Sequence, residues 1–322
     1  MSGRSAPFAF GQRGAALLTA MLIVTLVATL AAGMVWQQWR AVQVEAAERG
    51  RSQSRWILDG AVDWARLILR EDARTGGPDH LGEPWAVPLA EAKLSTFLAA
   101  DRDNTDDAPD AFLSGVIADA QARYNLRHVA ELAEPAEAAV EERTLRRLFE
   151  FAGASGEAAA ALAQSLRAAA TAGSGEAAQG DPALMPERVE DLGWLGVDPE
   201  TLARIAPYVT LLPVRTAVNV NTAPKEVIAA VVDGLDLASA ERLVQQRQSR
   251  PFRNLGEVAA QLPPGTPLDQ RRLGIASSFF EVRGRLRLLD RAVEERALVE
   301  RRNLEVVALR RELASGLAGA LR

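Results

Sequence analysis

Few residues in this 322-residue chain have the types and spacing that chemistry needs. The densest group is the run Asp101-Arg102-Asp103-Asn104-Thr105-Asp106-Asp107. Alternating oxygen ligands on a loop suit a hard cation such as calcium, with Asp101, Asp103 and Asp106 as the candidate ligands. The spacing is not that of an EF-hand and no glycine stands at its turn, so a solvated acidic loop competes with that reading. His80 and His128 are the only histidines, and there is no cysteine. The chain therefore has no disulfide framework and no thiol chemistry. Gly153-Ala154-Ser155-Gly156 lacks the spacing of a nucleophile elbow, and no phosphate-cradling glycine loop occurs. Acids and bases are mixed throughout, with a net charge of −5, which does not suggest a nucleic-acid partner. The residues point away from an enzyme.

One further pair has a chemical meaning through its position. Arg13-Gly14 directly precedes a stretch with no charge before Arg40. As a helix that stretch is long enough to cross the hydrocarbon core of a bilayer. Arg4 and Arg13, with no acid near them, keep the N-terminal side in the cytoplasm and send the rest across. A cleaved secretory signal and a plain signal anchor are the simpler readings. A third follows from the helical pattern continuing beyond the membrane. Trp56, Ile57, Gly60, Ala61, Trp64, Leu67 and Ile68 recur at three- and four-residue spacing, which predicts one apolar helix face. Gly76-Gly77-Pro78 ends the pattern. From Ala15 to Arg74 the helix would measure about 90 Å, half in lipid and half packed on a soluble domain.

The remaining elements fall in sequence order. Phe112, Val116 and Ile117, around a turn-like Ser114-Gly115, predict one or two strands. Helices are expected at 141–151 and 157–170, then a flexible linker from Thr171 to Gly180. Residues 186–262 hold a near-repeat, with Gly196-Val197-Asp198 and Gly234-Leu235-Asp236 each between two helical patterns. Asp198 and Asp236 can N-cap the second helix of each. Asn221 or Thr222 is expected to cap the helix opened by Pro224, and Asn254 with Glu257 forms a capping box. Strand patterns return in SSFFEVRGRLRLLD, RAVEERALVERR and NLEVVALRRE, with Asn303 at a turn. Strands before and after the helical block must pair, so the block is an insertion in a small α+β domain.

The layout of Arg13-Gly14 before the apolar run resembles the N-terminus of type IV pilins and pseudopilins. The resemblance implies cutting by a prepilin peptidase after Gly14, leaving Ala15 as the new N-terminus, methylated in the family's manner. Most pilins carry glutamate at the fifth mature position, whereas here that position is Thr19. A carboxylate in lipid is costly unless paired. Among pseudopilins, the type II secretion minor pseudopilin K family typically lacks this glutamate. The phrase DAQARYNL closely resembles a segment of that family. NVNTAPKEV followed by QQRQSRPFRNLGEVAAQL resembles helix-hairpin-helix repeats, which the same family carries as an insert. Such repeats often bind DNA through hairpin N–H groups, but Asp198 and Asp236 stand where a carboxylate would repel phosphate.

The resemblance implies a type IV pilin-like α+β fold with a long N-terminal transmembrane helix, a small antiparallel sheet and a large inserted all-α domain. The expected parts are a leader at 1–14, a transmembrane half-helix at 15–40 and a periplasmic half-helix at 41–75. Pilin-like α+β parts follow at 76–130 and 276–322, around an insert at 131–275 whose hairpin repeats span 186–262. It further implies a non-enzymatic minor pseudopilin at the pseudopilus tip, anchored once in the bacterial inner membrane with its C-terminal domain in the periplasm. Its partners would be the minor pseudopilins I and J, other pseudopilins and the prepilin peptidase, and calcium is associated with the family. A membrane-anchored DNA-binding protein of the competence type is the runner-up.

Overall fold

The computed structural model describes residues 12–94, 111–131, 134–173, 184–288 and 291–317. The chain divides into two units, Met1–Ile57 and Leu58–Arg322. Helix α1 (Gln12–Thr75) begins in the first. There its apolar side chains, from Leu17 to Val44, stand exposed. In length and composition that surface fits the interior of a bilayer. The Arg40 guanidinium lies 4.9 Å from the centre of the Trp36 ring. Trp36, Trp39 and Arg40 have the composition of a membrane–water boundary.

In the second unit, five antiparallel strands form a sheet in the order β1-β2-β7-β8-β9. They are β1 (Leu89–Lys93), β2 (Ala111–Asp119), β7 (Phe279–Leu288), β8 (Arg291–Arg302) and β9 (Glu305–Leu317). Asn303 has φ 56° in the turn between β8 and β9. Strand β2 pairs with β7 in register from Ala111↔Leu288 to Asp119↔Phe280, although about 160 residues separate them in sequence. Everything between β2 and β7 is thus an excursion from one sheet. Gly115 is not a turn residue as expected; it lies inside β2, directly opposite Gly284 of β7.

The sheet's buried face packs on the C-terminal part of α1. The helix residues that enter this core are Leu58, Val62, Ala65 and Leu69. Val62, Ala65 and Leu69 meet Ile117, Phe280, Val282, Ala297, Val299 and Val306, closed at one side by Trp85 against Phe280. Burying such side chains contributes about 1.5–3 kcal/mol each. This corrects the expected face. Trp56, Trp64 and Leu67 stay exposed at 78%, 52% and 50%, while Ala61 and Ile68 are only half-buried. Apolar residues occupy two adjoining stripes of α1. The sheet selects the narrower one, because close approach to a sheet favours Leu, Val and Ala over tryptophan.

The insert forms its own core. Its elements are β3 (Tyr124–Asn125), α2 (Arg127–Ala130), α3 (Pro135–Phe151) and α4 (Gly156–Gly173), followed by α5 (Pro199–Ile205) and β4 (Val209–Thr210). Then come β5 (Val218–Asn219), α6 (Lys225–Val231), α7 (Leu237–Ser249), α8 (Leu255–Ala259) and β6 (Leu273–Gly274). The helical core takes in Tyr124, Leu126, Val129 and Ala130, N-terminal to residue 131. Two short parallel bridges divide the insert: β3 with β4, and β5 with β6. Each half opens on a strand asparagine whose Oδ1 accepts the N–H two residues on, Asn125 from Arg127 and Asn219 from Asn221. Each half also holds one Gly-x-Asp hairpin. Gly196 and Gly234 take φ +86° and +76°, a region open to glycine at little cost. The insert is therefore two halves built on one plan.

Candidate functional site

The N-terminal residues singled out in the sequence lie on the exposed helix of the first unit. Gly14, Ala15 and Thr19 all fall within α1. The Thr19 hydroxyl donates to the Ala15 carbonyl at 2.8 Å. The side chain thus satisfies itself within one helical turn, as a hydroxyl in an apolar medium must. Thr25 and Thr29 do the same with Leu22 and Leu26, at 2.9 Å each. Asp101, Asp103 and Asp106 lie outside the described residues.

In the hairpin repeats, Asp198 accepts from the N–H groups of Glu200 and Thr201 at 3.1 and 2.9 Å, and Asp236 accepts from Ser239 at 2.6 Å. These backbone hydrogen bonds, the largest influence on both carboxyls, hold them below the usual carboxylate range. The amides that a phosphate would need already serve a carboxylate in each hairpin. Asn254 caps α8 by accepting from Glu257 at 2.9 Å. The expected cap on α6 is absent: Pro224 occupies the N-cap and makes no side-chain bond. Asn221 instead clamps the Phe252 backbone, donating to its carbonyl at 3.0 Å and accepting its N–H at 2.9 Å. Thr222 donates to Asp119 at 2.6 Å.

Two buried polar clusters hold the second unit together. One lies inside the insert. Tyr124 donates to Glu141 at 2.8 Å, Arg272 Nε donates to the other oxygen at 3.0 Å, and Arg272 also bonds Thr144. His128 Nε2 lies 2.8 Å from the Thr216 carbonyl, an acceptor, so that nitrogen carries the proton. Its Nδ1 accepts from Arg215 Nε at 3.3 Å. Burial pushes the imidazole below its ordinary value, so it is neutral. Burial and the neighbouring Glu141 push the Tyr124 phenol far up. A histidine, a carboxylate and a tyrosine in contact look like acid–base machinery. Here each is 2–3% exposed and spends its bonds on neighbouring chain.

The second cluster joins the insert to the sheet. Asp119, at the end of β2, accepts at Oδ2 from Asn219 at 3.1 Å, Thr222 at 2.6 Å and Ser277 at 2.6 Å. Its Oδ1 accepts the Gln121 N–H at 2.7 Å. Burial raises this carboxyl, opposed by the Ser277, Thr222 and Gln121 hydrogen bonds. Gln121 spans the same seam, donating to Ala217 at 2.8 Å and accepting from Ser278 at 2.6 Å. These contacts give DAQARYNL its physical meaning: Asp119, Gln121, Tyr124 and Asn125 are all buried connectors. Asp79, Ser277 and Arg301 complete the seam. Their role left no periodic signal in the sequence, because their partners lie up to 229 residues away.

Comparisons with known proteins bear on this arrangement. Two family models, both described as type II secretion system (T2SS), protein K, match residues 122–214 and 218–276. They meet where the two halves of the insert meet. The type II secretion system protein K of Pseudomonas aeruginosa is 27% identical over 303 residues, covering 87% of this chain and 86% of that protein. Its counterpart in Pectobacterium carotovorum is 26% identical over 330 residues, covering 94% and 96%. A chain of the crystal structure of the GspK-GspI-GspJ complex from the enterotoxigenic Escherichia coli type 2 secretion system shares the fold. Its TM-score is 0.64 at 18% identity, over 84% of this chain and 99% of that one. Among the described residues, α1 is the one helix long and apolar enough to cross a membrane. With one helix long and apolar enough to cross a membrane, a small antiparallel sheet and a bipartite helical insert that two protein K models match, the chain is similar to the type II secretion system protein K family over most of its length.

Proposed function

We propose that this protein is a non-enzymatic minor pseudopilin of a type II secretion system, acting at the tip of a periplasmic pseudopilus. The observation that carries the reading is α1: before residue 58 it exposes an apolar, lipid-compatible surface, and from Leu58 on it packs into the core of a folded domain. An insert of this bulk suits a tip better than the packed shaft of a fibre. Thr19 supports the same position. A subunit with nothing above it needs no fifth-position carboxylate, and an unpaired one at the bilayer centre would cost about 2.5–3.5 kcal/mol. The amine of Ala15, freed by cleavage after Gly14, remains available to the glutamate of the next subunit. The subunit would start assembly and support export of folded proteins across the outer membrane.

The related complex contains I and J subunits, and we take the corresponding minor pseudopilins as the partners here. A prepilin peptidase would process the N-terminus, with the C-terminal domain in the periplasm. Calcium is proposed only for Asp101, Asp103 and Asp106, and calorimetry of the full chain with calcium and with chelator tests it. The test of the whole reading is affinity co-purification from detergent with I and J, alongside a secretion assay in a strain lacking this chain. Capture of both subunits and loss of secretion are expected. Normal secretion in the deletion strain would overturn it.

A further inference from the structure

Segments far apart in sequence bring four carboxylates, two buried and two half-buried, to one patch at the seam. Asp72 comes from the last turn of α1, Asp79 and Glu83 from the loop after it, and Asp119 from the end of β2. Asp72, Asp79 and Glu83 each place an oxygen within 4.8 Å of the other two. Ser277 ties this trio to Asp119, its N–H donating to Asp79 and its hydroxyl to Asp119, both at 2.6 Å. Asn219 adds a bond from its amide to the Asp79 carbonyl at 3.0 Å.

Arg301 of β8 is the cation at the patch. It donates to Asp72 at 2.6 Å through Nη1 and to Asp79 at 2.6 and 2.7 Å through Nη2, with its carbon 4.9 Å from the Phe280 ring centre. His80 is the other titratable side chain nearby, and its Nδ1 accepts the Gly82 N–H at 3.1 Å. Glu83 receives neutral donors, the His80 N–H and the Trp85 indole N–H, both at 2.8 Å on Oε2. Three carboxylates therefore gather within 4.8 Å of one another, with one guanidinium bonded to two of them, where close like charges cannot all ionise cheaply.

We infer that this patch is a proton-dependent clamp, in which one proton taken up between Asp72 and Glu83 tightens the seam joining the helical insert to the sheet. The proton comes from solvent, adds to one carboxylate oxygen and is donated to the other; no further bond forms or breaks. Without it, repulsion among Asp72, Glu83 and Asp79 pushes the 79–85 loop outward and weakens the hold of Asp79 on Ser277 and Asn219. Burial raises the Asp72 carboxyl, Glu83 raises it further, and Arg301 opposes both; burial raises Asp79 as well. A raised value in the folded state means that proton uptake favours folding. The stabilisation therefore grows as pH falls toward the ordinary carboxylate value of 3.8 and is lost as pH rises through the folded value.

The test uses the full chain in detergent, with Tm and hydrogen-exchange protection of the Ser277 amide followed from pH 8 to pH 5. Glu83→Gln keeps the acceptor for His80 and Trp85 and turns a permanent N–H toward Asp72. Asp72→Asn does the converse and keeps an acceptor for Arg301. Each variant is expected to exceed wild type at pH 8 by roughly 2–4 °C in Tm, with higher Ser277 protection, and the difference is expected to shrink as pH falls. Taking the difference from wild type removes any titration elsewhere. A constant offset across pH, or variants less stable than wild type at pH 8, would overturn the proposal. So would millimolar calcium raising the wild-type Tm at pH 8 but not that of Glu83→Gln, since the patch would then be a cation site.

Discussion

A Cβ placed on Gly284 would lie 3.2 Å from Leu58 Cδ2 and 3.9 Å from the Ala61 Cβ. The dent that seats α1 on the sheet is thus made by the absence of one side chain. Gly284→Val is expected to destabilise the protein by about 1–3 kcal/mol through overpacking, read as a lower midpoint in chemical denaturation. Gly284→Ala falls between, because the far end of Leu58 can shift by a few tenths of an ångström. An unchanged midpoint for the valine variant would mean that the helix does not seat there.

The two hairpin aspartates should be equivalent. Asp198→Ala and Asp236→Ala each remove an N-cap and are expected to lower stability. Asn at either position should restore most of the loss. If these residues are caps only, neither variant alters co-purification with I and J at a temperature where the protein stays folded.

His128 gives an acid limit inside the insert. Its folded value lies below the ordinary 6.5, so the unfolded chain binds the proton first. Stability from this group is intact above pH 6.5 and falls as pH drops through 6.5 toward the folded value. Added charge would meet the Arg215 and Arg272 guanidinium groups, with Glu141, 3.9 Å from Nδ1, as an opposing carboxylate. NMR of the ring protons should show His128 less protonated at pH 6.5 than an exposed histidine. His128→Gln, which keeps a donor toward Thr216, should flatten this part of the acid slope.

Processing is tested at Gly14. Co-expression with a prepilin peptidase should yield Ala15 as the N-terminus, and Gly14→Val should block the cut. Thr19→Val should leave secretion nearly unchanged, because a β-branched shape is kept and no charge is involved. Thr19→Glu should be neutral or mildly harmful. Immunogold labelling along whole pseudopili, or loss of secretion in a stable Thr19→Val protein, would refute the tip account.

Much of the fold was legible because its signals are local. The uncharged run after Arg13 requires lipid or burial whatever follows it. Asp198, Asp236 and Asn254 cap their helices as read, since a cap depends on residues two or three positions away. The final strands and the Asn303 turn were visible for the same reason. The α1 face was misread because Trp56, Trp64 and Leu67 satisfy helical periodicity as well as Leu58, Val62, Ala65 and Leu69 do. Periodicity counts apolar residues and does not weigh which of them fit against a glycine dent.

What the chain alone determined was therefore its anchor, its caps, its hairpins and the need for strands on both sides of the insert to pair. Which face of α1 is buried, and which polar residues become connectors, was decided only by the tertiary structure. Asn219, Asn221 and Thr222 read as cap candidates, yet they serve Asp79, Phe252 and Asp119. Asp72, Asp79 and Arg301 carried no signal at all. A buried carboxylate is tolerable only when donors converge on it, and those donors arrive from segments that folding alone brings together.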